Sequence, residues 1–504
     1  MRKKIENIIN LFFKNDNFFE QKINGYFLDR EQKKAILTKG NVQLIASAGS
    51  GKTLTIVGKV KYLLEVEKKK EEEILCISFT RKSAKSLESA INKERKTKVE
   101  VKTFHKLALD IVNKKNCIAP NDLLEYISEE YLKSTLWENE PFNFYLKEYL
   151  KYQPASKDNI YLLTLITNTF IHLFKTNCNK KEDFKELFLK VKRKPKEFLL
   201  LRIIYEIYLI YEEELKANGW YDFDDLILEA TKKIIKKEVI KKYSNIIIDE
   251  FQDTSFLRLK LIKSLLKRTN ANLFVVGDDY QSIYKFTGCD LSLFLNLKKE
   301  IPNLKLRKLT TTYRFSMEAA KISTKLIRKN KMQCRKKVRS IKKYHNPITL
   351  CFYKEKENSL AKLLSYIYKK GIKEILILSR NNNDILFYID KNYKMENDKI
   401  FYLNYKDIDI TYLTVHKAKG LEAECVIILN VIDDKLGFPN KILENKILSL
   451  IHVGESFEEE RRLFYVAITR AKKETYIMTE VKRKSMFVKE LEKESNKEIK
   501  KIKI

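Results

Sequence analysis

Lys52 and Thr53 close the run Ala46-Ser47-Ala48-Gly49-Ser50-Gly51-Lys52-Thr53, and those residue types in that order can hold a phosphate chain. Gly49 and Gly51 let the backbone curl so that its N–H groups point at phosphate oxygens. Lys52 can reach the β- and γ-phosphates, and the Thr53 hydroxyl can ligate Mg²⁺. The usual first glycine of the G-x-x-x-x-G-K-[ST] pattern is Ala46 here, a residue small enough to fit. A second cluster lies far downstream, where Asp249 and Glu250 directly follow Ile246, Ile247 and Ile248. An Asp at such a strand end holds Mg²⁺ when it faces a phosphate-binding loop, and the Glu beside it is placed to orient and deprotonate water. Phosphoryl transfer to water needs both a metal and a positioned base.

These groups need elements that bring them together. The apolar run Val42 to Ile45 before the loop reads as a strand, and the pattern from Leu54 to Leu64 reads as a helix. That helix presents its positive N-terminus to the same anion. The three Ile predict a buried parallel strand ending in the acidic pair. Residues 111–220 are helical in pattern, rich in Lys, Tyr and Leu, and carry no phosphate motif. Because Lys52 and Asp249 must meet at one metal ion, this stretch is expected to be a helical insertion. The first α/β unit is then 28–110 with 221–303. A second α/β unit is expected over 304–479, with strands at 347–352, 374–379, 411–415 and 424–430. Residues 1–27 form a Phe-rich lead-in (Phe12, Phe13, Phe18, Phe19), expected to be a short helix packed on the body. Residues 480–504 read as a basic helical tail.

Composition sets the outer limits. A chain of 504 residues exceeds one core. Its formal net charge of +33 suggests a polyanion partner, most simply nucleic acid. Lys far outnumbers Arg, however, and Ile and Asn abound, a pattern that AT-rich codon usage produces without any function, so charge adds little weight. No apolar run approaches the roughly 20 residues of a membrane span, and Glu6, Asn7 and Asn10 interrupt any signal-peptide core. Cys76, Cys117, Cys178, Cys289, Cys334, Cys351 and Cys425 are scattered, with no C-x-x-C pair. That argues against a zinc site or a disulfide framework and for a reducing cytoplasm.

Further motifs carry a resemblance: GDDYQSIYKFTG (277–288), TTTYRFS (310–316), TVHKAKGLE (414–422) and ERRLFYVAITRA (460–471). With the phosphate loop and the acidic pair, they run in the order found in UvrD/Rep-type superfamily 1 helicases. The chain resembles that family from about Leu28 to about Met478, and within it most resembles the helicase IV branch. The resemblance implies two RecA-like motor domains with ATP and Mg²⁺ between them, moving along single-stranded DNA or a partial duplex with 3′→5′ polarity. It assigns Gln32 to the adenine edge, Tyr313 to the adenine face, Gln281 to the γ-phosphate or attacking water, and Glu422 to the ribose. Arg314 and Arg470 match two arginines supplied across the cleft by the second motor domain. Phe79, Thr80, Thr103, Phe104, His105, Tyr284, Phe286, Thr414 and His416 match positions lining the single-strand groove. Aromatics there can stack bases without reading sequence.

Departures from the family pattern matter too. Arg380 and Thr414 are so close in sequence that the large helical insertion of UvrD and Rep, which falls between them, is expected to be absent or reduced to a connector. Ala423 and Thr287 replace an aromatic and an Arg common in the family. The expected protein is thus a cytoplasmic, monomeric DNA helicase or translocase of repair, recombination or replication. Two alternatives stand beside it: a translocase working with a partner nuclease, for example in phage defence, with little unwinding of its own, and an RNA-directed helicase.

Overall fold

The computed structural model describes residues 17–138, 157–238, 241–442, 445–451 and 456–504. Strands β1 (Val42–Ala46), β2 (Ile74–Ser78), β3 (Glu100–Thr103), β4 (Asn245–Ile248), β5 (Asn272–Gly277) and β6 (Lys305–Leu309) form one parallel sheet in the order β3-β2-β4-β5-β1-β6. β1, β2 and β4 are buried along their whole length. Helices cover both faces, which is why these strands read as continuous apolar runs rather than alternating ones. The loop after β1 and the acidic pair after β4 leave the same carboxyl edge, separated only by β5. This is the edge at which open α/β sheets hold ligands.

The helical stretch is an insertion, as expected. The chain leaves and re-enters the first unit at a bridge between Ile118 and Tyr221. There Ala119 N donates to Tyr221 O at 3.0 Å and Tyr221 N donates to Cys117 O at 2.6 Å. Helices Leu123–Glu138, Lys157–Thr176, Phe184–Val191 and Pro195–Asn218 then build a core of their own around Phe170, Phe174, Phe184 and Tyr208. Ile447, Leu448 and Ile451 of the second unit pack into that core, and Asn177 Nδ2 donates to Ile451 O at 3.1 Å.

After a short parallel pair, β7 (Thr311–Thr312) and β8 (Arg339–Ser340), comes an eight-stranded sheet. It comprises β9 (Ile348–Tyr353), β10 (Glu374–Ser379), β11 (Tyr393–Glu396), β12 (Lys399–Tyr402), β13 (Asp409–Thr414), β14 (Ala423–Ile428), β15 (Ala471–Glu480) and β16 (Lys500–Lys503). The order is β11-β12-β13-β10-β14-β15-β9-β16. Only the β11–β12 hairpin and its join to β13 are antiparallel. The molecule is therefore α/β, with two sheet units and a helical insertion in the first.

Two expected boundaries shift. β6 pairs with β1, so residues after 304 still belong to the first sheet. Only Leu309 of β6 is fully buried, and an edge strand of this kind carries no sign of which sheet it joins. The tail after 480 is not a free helix. Phe487, Val488 and Leu491 of helix Met486–Ser495 bury against the second core, and β16 pairs with β9 as an edge strand bearing Lys500, Lys501 and Lys503. Lysines on an edge discourage pairing with another chain. In the lead-in, Phe18 and Phe19 pack on Tyr62 with ring centroids 5.4 and 6.3 Å away. Phe12 and Phe13 lie outside the described residues.

Candidate nucleotide site and nucleic-acid face

The phosphate loop is shaped by close neighbours. Gly49 (φ 68°) and Gly51 (φ 76°) are left-handed. A Cβ on Gly49 would stand 2.5 Å from Arg314 Cβ, and one on Gly51 would stand 2.5 Å from Gln32 Nε2. Glycine is therefore required twice, by conformation and by approach. Ser50 N donates to Ser47 O at 3.2 Å, and Ser47 N donates to Ser50 Oγ at 3.3 Å. Ala46 needs no such freedom. It is the last residue of β1, fully buried, and its carbonyl accepts from Lys336 Nζ at 2.8 Å.

Asp249 continues β4, with its N–H donating to Ile77 O at 3.0 Å. Glu250 then takes φ 51°, a strained conformation for a non-glycine residue. The turn aims its carboxylate at Lys52, Nζ to Oε1 being 2.7 Å, and Gln252 Nε2 donates to Oε2 at 2.6 Å. The two acids split. Burial, then the Glu250 charge, raises Asp249 to about 6. Burial would raise Glu250 as well, but Lys52 and Lys419 outweigh it and hold the carboxyl down at about 2. Glu250 is thus ionised at neutral pH. Thr53 is exposed in the first turn of helix Lys52–Glu65, beside the loop.

The second unit reaches into this site. Arg470, buried between helix Ser456–Ile468 and β15, donates from Nη2 to Gln281 Oε1 at 2.9 Å. Burial, then the charge of Arg314, lowers Arg470 to about 9, so it remains cationic at pH 7. Gln281 Nε2 donates to Asp278 Oδ2 at 2.5 Å. Asp278 and Asp279 are paired with Lys336 at 2.5 and 2.7 Å, and its ammonium lies 3.7 Å from the centroid of the Tyr280 ring. Lys336 therefore holds the group that holds Gln281. Sequence reading missed it, because one Lys among a hundred Lys and Arg residues carries no signal of burial.

Arg314 lies between β7 and helix Met317–Ile327, whose Ile322 and Leu326 pack in the second core. From there Nε meets Glu422 Oε2 at 2.8 Å and Nη1 donates to Thr469 O at 3.2 Å, so it ties the connection to the second unit. Glu422 also faces Lys472 at 3.6 Å. On the opposite wall, Asp29 caps helix Arg30–Leu37 in a reciprocal box with Gln32. Gln32 Nε2 donates to Ser50 O at 3.2 Å, and the Tyr313 hydroxyl donates to Asp29 Oδ2 at 2.5 Å. One cavity of about 720 Å³ is lined by Gln32, the loop from Gly49 to Thr53, Glu250, Gln281, Tyr313, Arg314, Glu422 and Arg470. Ala46, Ser47, Ala48 and Asp249 stand buried behind that wall. Ser47 Oγ and Asp253 Oδ1 are buried there without a hydrogen-bond partner. The donor set of loop N–H groups, Lys52, a Thr hydroxyl and an Asp carboxylate fits a nucleotide phosphate with Mg²⁺.

The nucleic-acid positions fall into two groups. Tyr284, Phe286 and His416 cluster, with ring centroids 5.7 to 6.4 Å apart. Tyr284 Oη donates to His416 O at 3.1 Å, while Phe286 is 57% exposed. Thr414 ends β13 beside them. Phe79, Thr103 and His105 line a separate cavity of about 440 Å³ that also contains Phe223. Thr80 and Thr103 each cap a helix, accepting from Ser83 N and Lys106 N. Phe104 corrects the expectation: it is buried in the first core, edge-on to Phe79 at 5.5 Å, and offers no face to a groove. Burial foremost lowers both His105 and His416 to about 4.

One residue touches both sides. Lys419 Nζ meets Asp253 Oδ2 at 2.5 Å, donates to Gln281 O at 2.8 Å, and lies 4.7 Å from the Tyr284 ring centroid.

Comparison with known proteins bears on the family of the chain. A sequence model of the UvrD/REP helicase N-terminal domain matches residues 28–302. DNA helicase IV of Escherichia coli is 27% identical over 94% of this chain and 71% of its own length. The ATP-dependent DNA helicase Rep of Buchnera aphidicola from Acyrthosiphon pisum is 33% identical over 70% of this chain, which spans 54% of that protein. A probable DNA helicase of Mycoplasma pneumoniae is 28% identical over 90% of this chain and 83% of its own length. By the extent of these matches, the chain belongs to the UvrD/Rep-type superfamily 1 helicases.

Proposed function

We propose that this chain is an ATP-dependent DNA helicase or translocase that moves along single-stranded DNA with 3′→5′ polarity, as a monomer, in repair, recombination or replication. The observation that carries this reading is the single cavity lined by Lys52, Glu250 and Gln281 from the first unit and by Glu422 and Arg470 from the second. Thr53 and Asp249 would hold Mg²⁺, which supplies neutralisation of the phosphate charge. Lys52 and the loop N–H groups bind the phosphates, Gln32 and Tyr313 hold the base, and Glu250 orients water and takes its proton. Arg314 and Arg470 stabilise the charge of the transferring group, and they do so together only when the two units close. Hydrolysis is then conditional on domain closure. Lys419 carries the state of Gln281 to Tyr284, so that closing alters the grip on a stacked base.

The test is ATP hydrolysis by the whole chain beside its Glu250→Gln variant. The reading expects the variant to bind ATP and not turn it over. Loss of binding in Glu250→Gln would contradict the assigned role, and turnover near that of the parent would remove it. A second reading has its own observation. Between β10 and β13 the chain forms only a 3₁₀ turn at Asp384–Phe387 and the β11–β12 hairpin. With so little there to part a duplex, the chain would translocate and leave strand processing to a partner. Unwinding of a tailed duplex by the purified chain separates the two readings.

A further inference from the structure

Tyr26 and Phe27 are large aromatics that the mechanism above does not use, and they are 68% and 63% exposed. Their placement is specific. Ile23 and Tyr26 pair across a tight antiparallel turn whose two central residues, Asn24 and Gly25, are left-handed (φ 50° and 86°). Ile23 is fully buried and anchors the turn. Asn24 pins it from the other side: its backbone N–H donates to the Glu94 carboxylate and Nδ2 donates to Ala90 O at 3.0 Å. The turn is therefore a braced platform. Asp29, which caps the helix carrying Gln32 and accepts from the Tyr313 hydroxyl, follows two residues after Phe27.

Asn24, Tyr26 and Phe27 line the same cavity as Gln32, Tyr313 and the phosphate loop. What sets these two rings apart from other exposed side chains is that both line the nucleotide cavity, where an aromatic face can take a flat partner. A nucleobase has the right shape and a π-face. We propose that Tyr26 and Phe27 form a second aromatic wall of the nucleotide site and stack on the purine base, so that the base is held by this turn as well as by Tyr313. The inference rests on the ATP-hydrolysing reading of this cavity and names residues that set base affinity and the preference for purines. Lys22 Nζ lies 5.2 Å from the centroid of the Phe27 ring, a weak cation–π contact at the rim of the turn.

The experiment measures steady-state hydrolysis of ATP and of UTP by the whole chain and by the double variant Tyr26→Ser, Phe27→Ser. Stacking on one base predicts that KM for ATP rises by roughly tenfold while kcat holds within about twofold. KM for UTP, with its smaller ring, should move less. The variant Tyr26→Trp, which keeps a stacking face, should retain the parent KM for ATP. Circular dichroism melting of each variant guards against unfolding, and both side chains are exposed enough for it to stay level. If the parent hydrolyses ATP and the double variant shows an unchanged KM, the aromatic wall is refuted and the ATPase reading stands. If the parent hydrolyses no nucleotide, the ATPase reading itself fails. Equal increases in KM for ATP and UTP would refute base stacking in favour of a general effect on the loop.

Discussion

The two faces of this molecule are built differently. On the nucleotide side the assigned side chains are bound to one another: Lys52 to Glu250, Gln281 to both Asp278 and Arg470, Arg314 to Glu422. On the nucleic-acid side the assigned residues mostly serve the fold as well. Thr80 and Thr103 cap helices, Phe104 is core, and His105 and His416 are held neutral by burial. The difference follows from the chemistry. Phosphoryl transfer needs several charges fixed in one geometry, so each polar group needs a partner that orients it. Sequence-tolerant binding of a single strand asks only for flat surfaces and scattered cations.

Substitutions can break that contrast, beginning with the largest effect. Lys52→Ala should lower kcat for ATP hydrolysis by roughly a thousandfold, because it removes both a phosphate contact and the partner of Glu250. A stopped assay of phosphate release reads this directly. Lys336→Met leaves Asp278 and Asp279 buried without their cation. We expect a loss of about 3–5 kcal/mol in urea unfolding, with kcat falling as Gln281 loses its support. Unchanged stability would mean that the pair is not buried as described.

The nucleic-acid face should yield smaller and more selective effects. Phe286→Ala should weaken stimulation of hydrolysis by single-stranded DNA by roughly tenfold and leave the basal rate level. Equal loss of both rates would make Phe286 a plain structural residue. The histidines give a pH signature. The folded pKa of His416 is lowered to about 4, burial being the largest cause and Arg380 and Lys419 the next. An unfolded His titrates near ~6.5. Between those values the unfolded chain binds more protons, so stability rises with pH and is lost as pH falls through about 4. His416→Gln should flatten that part of the stability–pH curve in urea unfolding. The smallest effect is expected for Thr80→Ala, about 1 kcal/mol of stability from the lost helix cap, with little change in DNA stimulation.

The same contrast explains what was legible in the sequence. The phosphate loop and the Ile-Ile-Ile-Asp-Glu run were readable because local pattern and chemistry coincide: a buried strand delivers a charged residue at its end. The helical insertion was readable from its want of strands, and the bridge at Ile118 and Tyr221 marks where it begins and ends. The expected boundary at 304 leaves β6 outside the first unit because strand pairing is decided at long range, and Lys-Leu-Arg-Lys-Leu is compatible with any edge. The C-terminal segment read as a helix throughout because its lysines mask the short strand Lys500–Lys503. Lys336 was invisible for a related reason, and Lys419, though inside TVHKAKGLE, carried no assigned role: in so basic a chain, only burial distinguishes the few cations that organise the site.

The central claim is that ATP turnover in this chain is coupled to a nucleic-acid strand held near Tyr284 and Phe286. The most direct test is the ATPase rate of the purified chain with and without single-stranded DNA, across a range of salt. The account predicts strong stimulation by DNA that fades as salt rises, since phosphate contacts release counterions on binding. A rate that is the same with and without DNA at every salt concentration would contradict it.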